Sequence, residues 1–243
     1  MAHLETCRVT GKPAAFRIGL AAALAALLAA CAPPPPSPPA AAIPPTPAEF
    51  PDAHYRQAAA AGRQVLRVDP ARSLVVIEVR RAGVLAGLGH DHVVASHDAR
   101  GYVDAQDGRA DLYVPLQRLR VDEPGLRAEA KLDTRPSQDA IDGTRRNMLE
   151  KVLDADRFPF ALIRAARASA DPARLDVALT LHGTTRRFDI PLQTETLPDG
   201  LAVSGRLTFN QTDFGLTPYS VLGGALQVED RLELRFRIVA AGG

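Results

Sequence analysis

The stretch LDVALTLHGTTRRFDIPL, residues 175–192, decides the fold of this chain. Apolar side chains occupy every second position on both sides of its central His-Gly pair: Leu175, Val177, Leu179 and Leu181, then Phe188, Ile190 and Leu192. Successive side chains of a strand point to opposite faces, so this period of two predicts two half-buried strands. The His-Gly pair between them supplies a turn, and the stretch therefore predicts an antiparallel hairpin.

The same alternation recurs along most of the chain. It is found in four further segments, several of them next to an Asp-Gly turn: residues 73–80, 103–116, 201–209 and 231–238. Short strands at this spacing indicate a sandwich or a barrel, and a closed barrel leaves no exposed sheet edge. We therefore predict an all-β fold, an antiparallel barrel of eight or more strands. Such a barrel is filled by side chains or holds one small ligand.

One segment, TRRNMLEKVLD at residues 144–154, departs from the strand period. Its apolar residues fall on one helical face: Met148, Leu149, Val152 and Leu153. Thr144 is a candidate N-cap, and Pro159 ends the helical region. The sequence thus predicts one helix inserted about halfway along the barrel.

The N-terminus has the organisation of an export signal. Three basic residues precede an uncharged segment, Ile18 to Ala30, which is shorter than the roughly 20 residues a spanning helix needs. The segment ends Leu-Ala-Ala-Cys, which resembles the bacterial lipobox, so we expect residues 1–30 to be a lipoprotein signal and Cys31 to be acylated. Ala32 follows instead of aspartate, which favours an outer-membrane lipoprotein facing the periplasm.

Composition divides the rest of the chain into two parts. Residues 31–62 begin with a proline-rich run that favours extended polyproline II, so we expect a lipidated tether there. Residues 63–243 are long enough for one barrel domain with its own core. The full chain has a formal charge of +1 without a basic tract, which argues against nucleic acid as a partner.

Five blocks of the sequence, in order and spacing, resemble the YceI-like family of lipocalin-like, polyisoprenoid-binding barrels. They are VDPARSLVVIEVRRAG (68–83), GHDHVV (89–94), NMLEKVLDADRFPFALIRA (147–165), LTLHGTTRRFDIPL (179–192) and LTFNQTDFGL (207–216). The resemblance runs from about Arg67 to Val239. It implies a lipocalin-like barrel with an internal apolar channel for an isoprenoid or fatty-acyl chain. We expect a binding protein and not an enzyme, without a cofactor, because the sequence has no Gly-x-Ser-x-Gly nucleophile motif.

Six residues are candidates for contact with such a ligand: His90, His92, Val177, Leu179, Phe209 and Phe214. If residues 84–94 form one unbroken strand, both histidines share its apolar, inward face. We predict that they line the polar end of the cavity and meet the head group of the ligand.

Two other functions remain open from the sequence. His90 and His92 could belong to a periplasmic metal site, because histidine is the commonest protein metal ligand. Alternatively the barrel has a filled core and acts as a protein-interaction module, since inward Val and Leu look the same around a cavity. A hydrolase is disfavoured, because adjacent Ser96 and His97 would point to opposite faces of a strand. The oligomeric state is undetermined.

The predicted anchor is tested by replacing its cysteine. Cys31→Ala removes the thiol that would carry the acyl chains, so acylation should be lost. Mass spectrometry of protein extracted from membranes with detergent should find acyl groups on Cys31 of the wild type and none on the variant. Wild-type protein without acyl groups would contradict the predicted lipid anchor.

Overall fold

The computed structural model describes residues 46–169, 171 and 173–242. The predicted signal of residues 1–30, the acylation site Cys31 and the first part of the tether lie outside the described residues. The described residues form one compact unit. No helix in the described part of the chain is long and apolar enough to cross a bilayer.

The described strands and helices follow one another along the chain with short connections. The strands are β1 (Val65–Val68), β2 (Leu74–Val79), β3 (Arg81–Ala82), β4 (His92–Ser96), β5 (Arg100–Asp104), β6 (Arg109–Pro115), β7 (Arg120–Val121), β8 (Phe160–Arg167), β9 (Arg174–Leu181), β10 (Thr184–Leu197), β11 (Gly200–Asn210), β12 (Ser220–Val221), β13 (Leu226–Val228) and β14 (Arg231–Ala241). The helices are α1 (Asp52–Ala60), α2 (Pro124–Glu129) and α3 (Gln138–Asn147).

Eight strands close into an antiparallel barrel. Their order is β1-β5-β6-β8-β9-β10-β11-β14, and β14 returns to pair with β1 through Val68 and Ala240. The hairpin predicted first, β9–β10, pairs Leu181 with Thr184 and Val177 with Phe188. The structure confirms the predicted antiparallel barrel of at least eight strands.

The barrel wall is extended beyond β14 by three shorter strands. β14 pairs with β1 near its C-terminal end and with β2 over residues 233–237, and β4 and β7 continue the sheet from β2. β1 and β2 are therefore two segments of one long strand, interrupted by the 3-10 turn Pro70–Arg72. Proline lacks an N–H for the ladder, and the Asp69 side chain accepts a hydrogen bond from the Ala71 amide at 2.9 Å, which stabilises the break.

The predicted helix exists, but its start is corrected. It begins at Gln138, and the Ser137 side chain caps it by accepting a hydrogen bond from the Ala140 amide at 3.3 Å. It continues beyond Asn147 as a π-helical turn, Met148–Val152. Thr144, the predicted N-cap, lies inside the helix, because the helix begins with polar turns that the apolar pattern does not reveal.

The folded part of the chain begins before residue 63, where the sequence predicts the start of the barrel domain. Tyr55 of α1 is only 1% exposed, its ring stacks on Tyr102 at 5.1 Å, and its hydroxyl donates to Asp111 Oδ2 at 2.7 Å. Burial and the neighbouring Asp111 carboxylate raise the pKa of the Tyr55 hydroxyl. One buried tyrosine therefore attaches the end of the predicted tether to the outside of β5 and β6.

This attachment predicts a stability effect. Tyr55→Phe keeps the ring but leaves the buried Asp111 without one of its donors, so the free energy of unfolding should fall by about 1–3 kcal/mol. Chemical denaturation measures the loss. Tyr102→Phe is the matched control, because its hydroxyl has no hydrogen bond within the described chain, and it should change stability by less than about 0.5 kcal/mol. Equal losses in the two variants would contradict the role given to the Tyr55–Asp111 bond.

Candidate ligand-binding cavity

The interior of the barrel is hollow. It encloses a cavity of ≈570 Å³, within the range of roughly 300–1,000 Å³ usual for small-molecule sites. Its wall is predominantly aliphatic and comes from most barrel strands, for example through Leu112, Ile163, Leu179, Val203 and Leu234, and from Ile77 of the adjoining β2. A surface of this kind excludes water and accommodates an apolar molecule by the hydrophobic effect alone.

The cavity has two chemically different ends. His90, His92 and Tyr219 lie at the end that α3 and the following π-helical turn cover with Asn147 and Met148; we call this the histidine end. The opposite end carries Arg109, Arg167 and Thr194 and is called the arginine end. A long ligand lying along the barrel axis would therefore meet a different set of polar groups at each of its two termini.

Three of the four apolar candidate residues line the cavity wall. Val177 and Leu179 project inward from β9, and Phe209 projects inward from β11. Phe214 lies behind this wall and is fully buried, with its ring edge-to-face against Phe209 at 5.4 Å. Phe214 therefore supports Phe209 from the core, because the strand ends at Asn210 and its inward–outward alternation ends with it.

The segment leading to the histidines is not the unbroken strand expected from the sequence. Residues 84–91 form a loop with a 3-10 turn at Ala86–Leu88, and β4 starts only at His92. Val84 is 89% exposed. It therefore does not face inward, contrary to what an unbroken strand over residues 84–94 would require. Gly83 adopts φ 92°, a left-handed conformation that ends the extended backbone.

His90 and His92 nevertheless border the cavity together. Their ring centroids are 6.1 Å apart, one at the end of the loop and one at the start of β4. His182 lies away from them in the β9–β10 turn, with its ring 4.4 Å from that of Phe158. Within the described ranges, these three histidines therefore do not form a common group of metal ligands.

A buried carboxylate fixes the orientation of His92. Asp122 accepts from His92 Nδ1 at 2.6 Å, from Arg127 Nη1 at 2.6 Å and from the Val93 amide at 3.1 Å. Arg127 also donates to the Asp91 carbonyl at 2.7 Å and to Thr134. Burial would raise the pKa of Asp122, but the hydrogen bonds from His92, Val93 and Arg127 outweigh it, so the pKa lies below its usual value.

This arrangement determines what His92 offers the cavity. Because Nδ1 donates its hydrogen to Asp122, the neutral ring carries its remaining lone pair on Nε2. Nε2 has no hydrogen-bond partner among residues 46–169, 171 and 173–242. It is therefore the atom available to accept a hydrogen bond at the histidine end, from a hydroxyl or another donor on a ligand.

In the described part of the chain, the cavity has neither the paired groups of a hydrolase nor three metal ligands within reach of one ion. Ser96 lines the cavity, while His97 is outside and contacts Glu123 Oε2 at 2.7 Å, so the two cannot act as nucleophile and base. Within the described ranges, three potential metal ligands come together only at His54, Asp104 and Asp107. That group lies beside α1, and Arg63 contacts both of its carboxylates.

Comparisons with known proteins agree with this class of fold, a closed antiparallel barrel around an apolar cavity. The family described as the YceI-like domain matches residues 66–240, which is most of the chain, and the protein therefore belongs to the YceI-like domain family. No curated protein sequence matches the chain.

Three solved structures are similar to the chain at low identity. A polyisoprenoid binding domain from Saccharophagus degradans, implicated in plant cell wall breakdown, has a TM-score of 0.52 and 13% identity over 73% of this chain and 98% of that chain. BcnA from Burkholderia cenocepacia has a TM-score of 0.48 and 15% identity over 70% and 98%. The YCEI protein of Campylobacter jejuni has a TM-score of 0.38 and 14% identity over 60% and 80%. At this identity, the first structure supports the fold alone.

The sequence singled out the histidines but not the residues that hold them. Asp122 and Arg127 are about 30 residues further along the chain, in a segment without any strand or helix periodicity. Asp122 adopts φ 58°, a conformation that asparagine and aspartate tolerate better than most residues. An Asp-Glu-Pro-Gly turn signal was visible at 122–125, but nothing local connects it to His92.

Neutralising Asp122 should destabilise the protein. Asp122→Asn leaves Arg127 buried without its counter-charge, so the free energy of unfolding at pH 7 should fall by about 3–5 kcal/mol. Glu123→Gln is the control, because the neighbouring Glu123 is partly exposed and its ion pairs should contribute less than about 1 kcal/mol. Similar losses from both changes would disprove the special role of Asp122.

The lowered pKa of Asp122 also predicts how the stability of the protein depends on pH. The folded pKa of Asp122 is lowered, so its stabilising contribution is complete above the ordinary carboxyl pKa of about 4 and is lost as pH falls through the lower folded value. The difference in stability between wild type and Asp122→Asn should therefore narrow below about pH 4. Denaturation curves between pH 7 and pH 3 measure it, and a difference independent of pH would refute the assignment.

Proposed function

We propose that this protein is a membrane-anchored periplasmic lipoprotein that binds one isoprenoid or fatty-acyl chain inside its barrel. The observation that carries the proposal is the cavity of ≈570 Å³ with an aliphatic wall. Membership of the YceI-like domain family supports it, as does the similar fold of the polyisoprenoid binding domain from Saccharophagus degradans. The hollow interior favours this function over that of a filled-core interaction module.

The ligand is bound with its head group at the histidine end. Nε2 of His92 accepts a hydrogen bond from the head group, and His90 lies beside it on the same border of the cavity. The aliphatic wall, including Val177, Leu179 and Phe209, then surrounds the chain. A head group with a hydroxyl, such as an alcohol or a protonated acid, fits an acceptor nitrogen better than a bare anion does.

The proposed location rests on the sequence. The Leu-Ala-Ala-Cys run supports acylation of Cys31, and the alanine that follows supports the outer membrane. The proline-rich residues after Cys31 connect the barrel to the lipid anchor as a semi-rigid spacer. The protein would thus bind its ligand on the periplasmic side of the membrane that anchors it.

The proposed ligand is tested by filling its site. Native mass spectrometry of protein purified without organic solvent should show an adduct that solvent extraction removes. Ala161→Phe/Val203→Phe places two rings in the cavity and should abolish the adduct, whereas Gln193→Phe, on the outer face of β10, should retain it. An adduct of equal abundance in all three proteins would contradict binding in the barrel.

The histidine end is tested separately. His90→Leu/His92→Leu removes the proposed acceptor, so the dissociation constant for a long-chain isoprenol should rise about 10-fold while circular dichroism still shows a folded barrel. His182→Leu, in the turn outside the cavity, is the control and should bind as wild type. Stoichiometric zinc or iron that survives dialysis and is lost only in the double variant would instead establish the metal-binding alternative.

A further inference from the structure

The exposed large hydrophobic side chains cluster at one place. Within the described chain they are Val84, Leu88, Val221 and Leu222, with exposed fractions of 89%, 72%, 36% and 69%. All four belong to two exposed segments, the loop 83–89 and residues 221–225 at the end of β12, which we call the apolar rim. Isolated exposed leucines are common on proteins, but exposed apolar residues gathered in one place indicate a contact surface.

The two loops of the apolar rim are held together. The Leu85 amide donates to the Ala225 carbonyl at 2.8 Å, and β3 pairs with β13 directly beside the loops. A side chain at Gly83 would come within 2.4 Å of the same Ala225 carbonyl, so the close approach requires glycine. The two segments of the apolar rim therefore form one connected surface.

The apolar rim opens onto the cavity. Leu88 and Val221 line the cavity and are also exposed at the surface, and Leu226 and His90 continue the wall inward. An apolar path therefore runs from the outer surface to the histidine end of the interior. A hydrophobic chain could follow this path without exposing its whole length to water.

The rim also lacks charge. Residues 82–90, AGVLAGLGH, and 214–228, FGLTPYSVLGGALQV, contain no Asp, Glu, Lys or Arg, although 23% of the whole chain is charged. Inserting a charged group into lipid is costly, so its absence from two exposed loops is what a membrane-penetrating surface requires. Tyr219 adds the amphipathic ring that is favoured at a membrane interface.

We infer that the apolar rim inserts into the surface of a lipid bilayer and there passes the ligand between membrane and cavity. The inference deepens the proposed function and rests on it for the identity of the cargo. The bilayer is the occupant because it contains the apolar chains that the cavity accepts and because the rim continues directly into that cavity. A second copy of the chain would instead cover the entrance.

The predicted anchor is compatible with this docking. The described chain begins at Thr46, whose hydroxyl lies 3.4 Å from that of Tyr113, in the half of β6 nearer the histidine end. Residues 32–45 separate it from Cys31 and could extend about 40 Å as polyproline II at about 3.1 Å per residue. That reach is long enough for the rim to touch the same membrane in which the acyl chains are embedded.

Vesicle flotation tests the inference without the lipid anchor and without a ligand. The barrel, its helices and the rim are built within residues 46–242, so a chain starting at residue 46 contains the compact unit. Delipidated protein of this length should float with vesicles of phosphatidylethanolamine and phosphatidylglycerol. Binding should survive 0.5 M salt, because uncharged loops supply it.

Two matched double variants locate the surface. Val84→Asp/Leu222→Asp should lower the vesicle partition coefficient at least about 10-fold, since it replaces two inserting side chains by charges. Gln106→Asp/Thr196→Asp adds the same charge at exposed positions towards the arginine end and should stay within about twofold of wild type. Both pairs of positions are on the surface, so neither change should unfold the barrel.

The outcomes separate this inference from the proposed function. Equal flotation of the two variants, or binding that disappears in 0.5 M salt, would overturn docking through the rim even if a ligand adduct is present. A dimer in sedimentation velocity that Val84→Asp/Leu222→Asp dissociates, without vesicle binding by wild type, would overturn it and assign the rim to a second copy. Loss of the adduct alone would contradict the proposed function and leave flotation unaffected.

Discussion

Closure of the sheet by β14 is the constraint on which the rest of the structure depends. This strand pairs with β11 along its whole length and with both β1 and β2 on its other side. Closure gives the sheet an inside, so the alternation of apolar and charged residues along each strand becomes a difference between interior and surface. Without it, the aliphatic faces of the strands would be a flat surface and not the wall of a cavity.

The interior stays hollow because of the side chains that face it. Its wall is formed mainly by valine, leucine, isoleucine and alanine, and the whole chain contains no tryptophan and only eight phenylalanines. Phe188, Phe209 and Phe214 gather near the histidine end, where they pack on one another and narrow that part of the core. Around the rest of the barrel, small aliphatic side chains leave a space that more aromatic side chains would fill.

Much of this arrangement could be predicted from the sequence because it depends on local periodicity. Alternation along 175–192 gives both the hairpin and the inward positions of Val177 and Leu179, and a closed barrel follows from its repetition. Prediction failed where the local pattern ended: the alternation at 84–94 continues through two glycines, Gly87 and Gly89, that allow a loop, and Phe214 follows a strand end. The Asp122–His92 pair could not be found, because it depends on a tertiary contact between β4 and a distant turn.

The central claim is that the barrel holds an apolar chain with its head group at His92. A crystal structure of the protein purified from its own membranes, without organic solvent, tests it most directly. The account predicts continuous elongated electron density along the barrel axis, ending within hydrogen-bond distance of His92 Nε2. An interior closed by repacked side chains, with ligand density absent or confined to the outer surface, would contradict it.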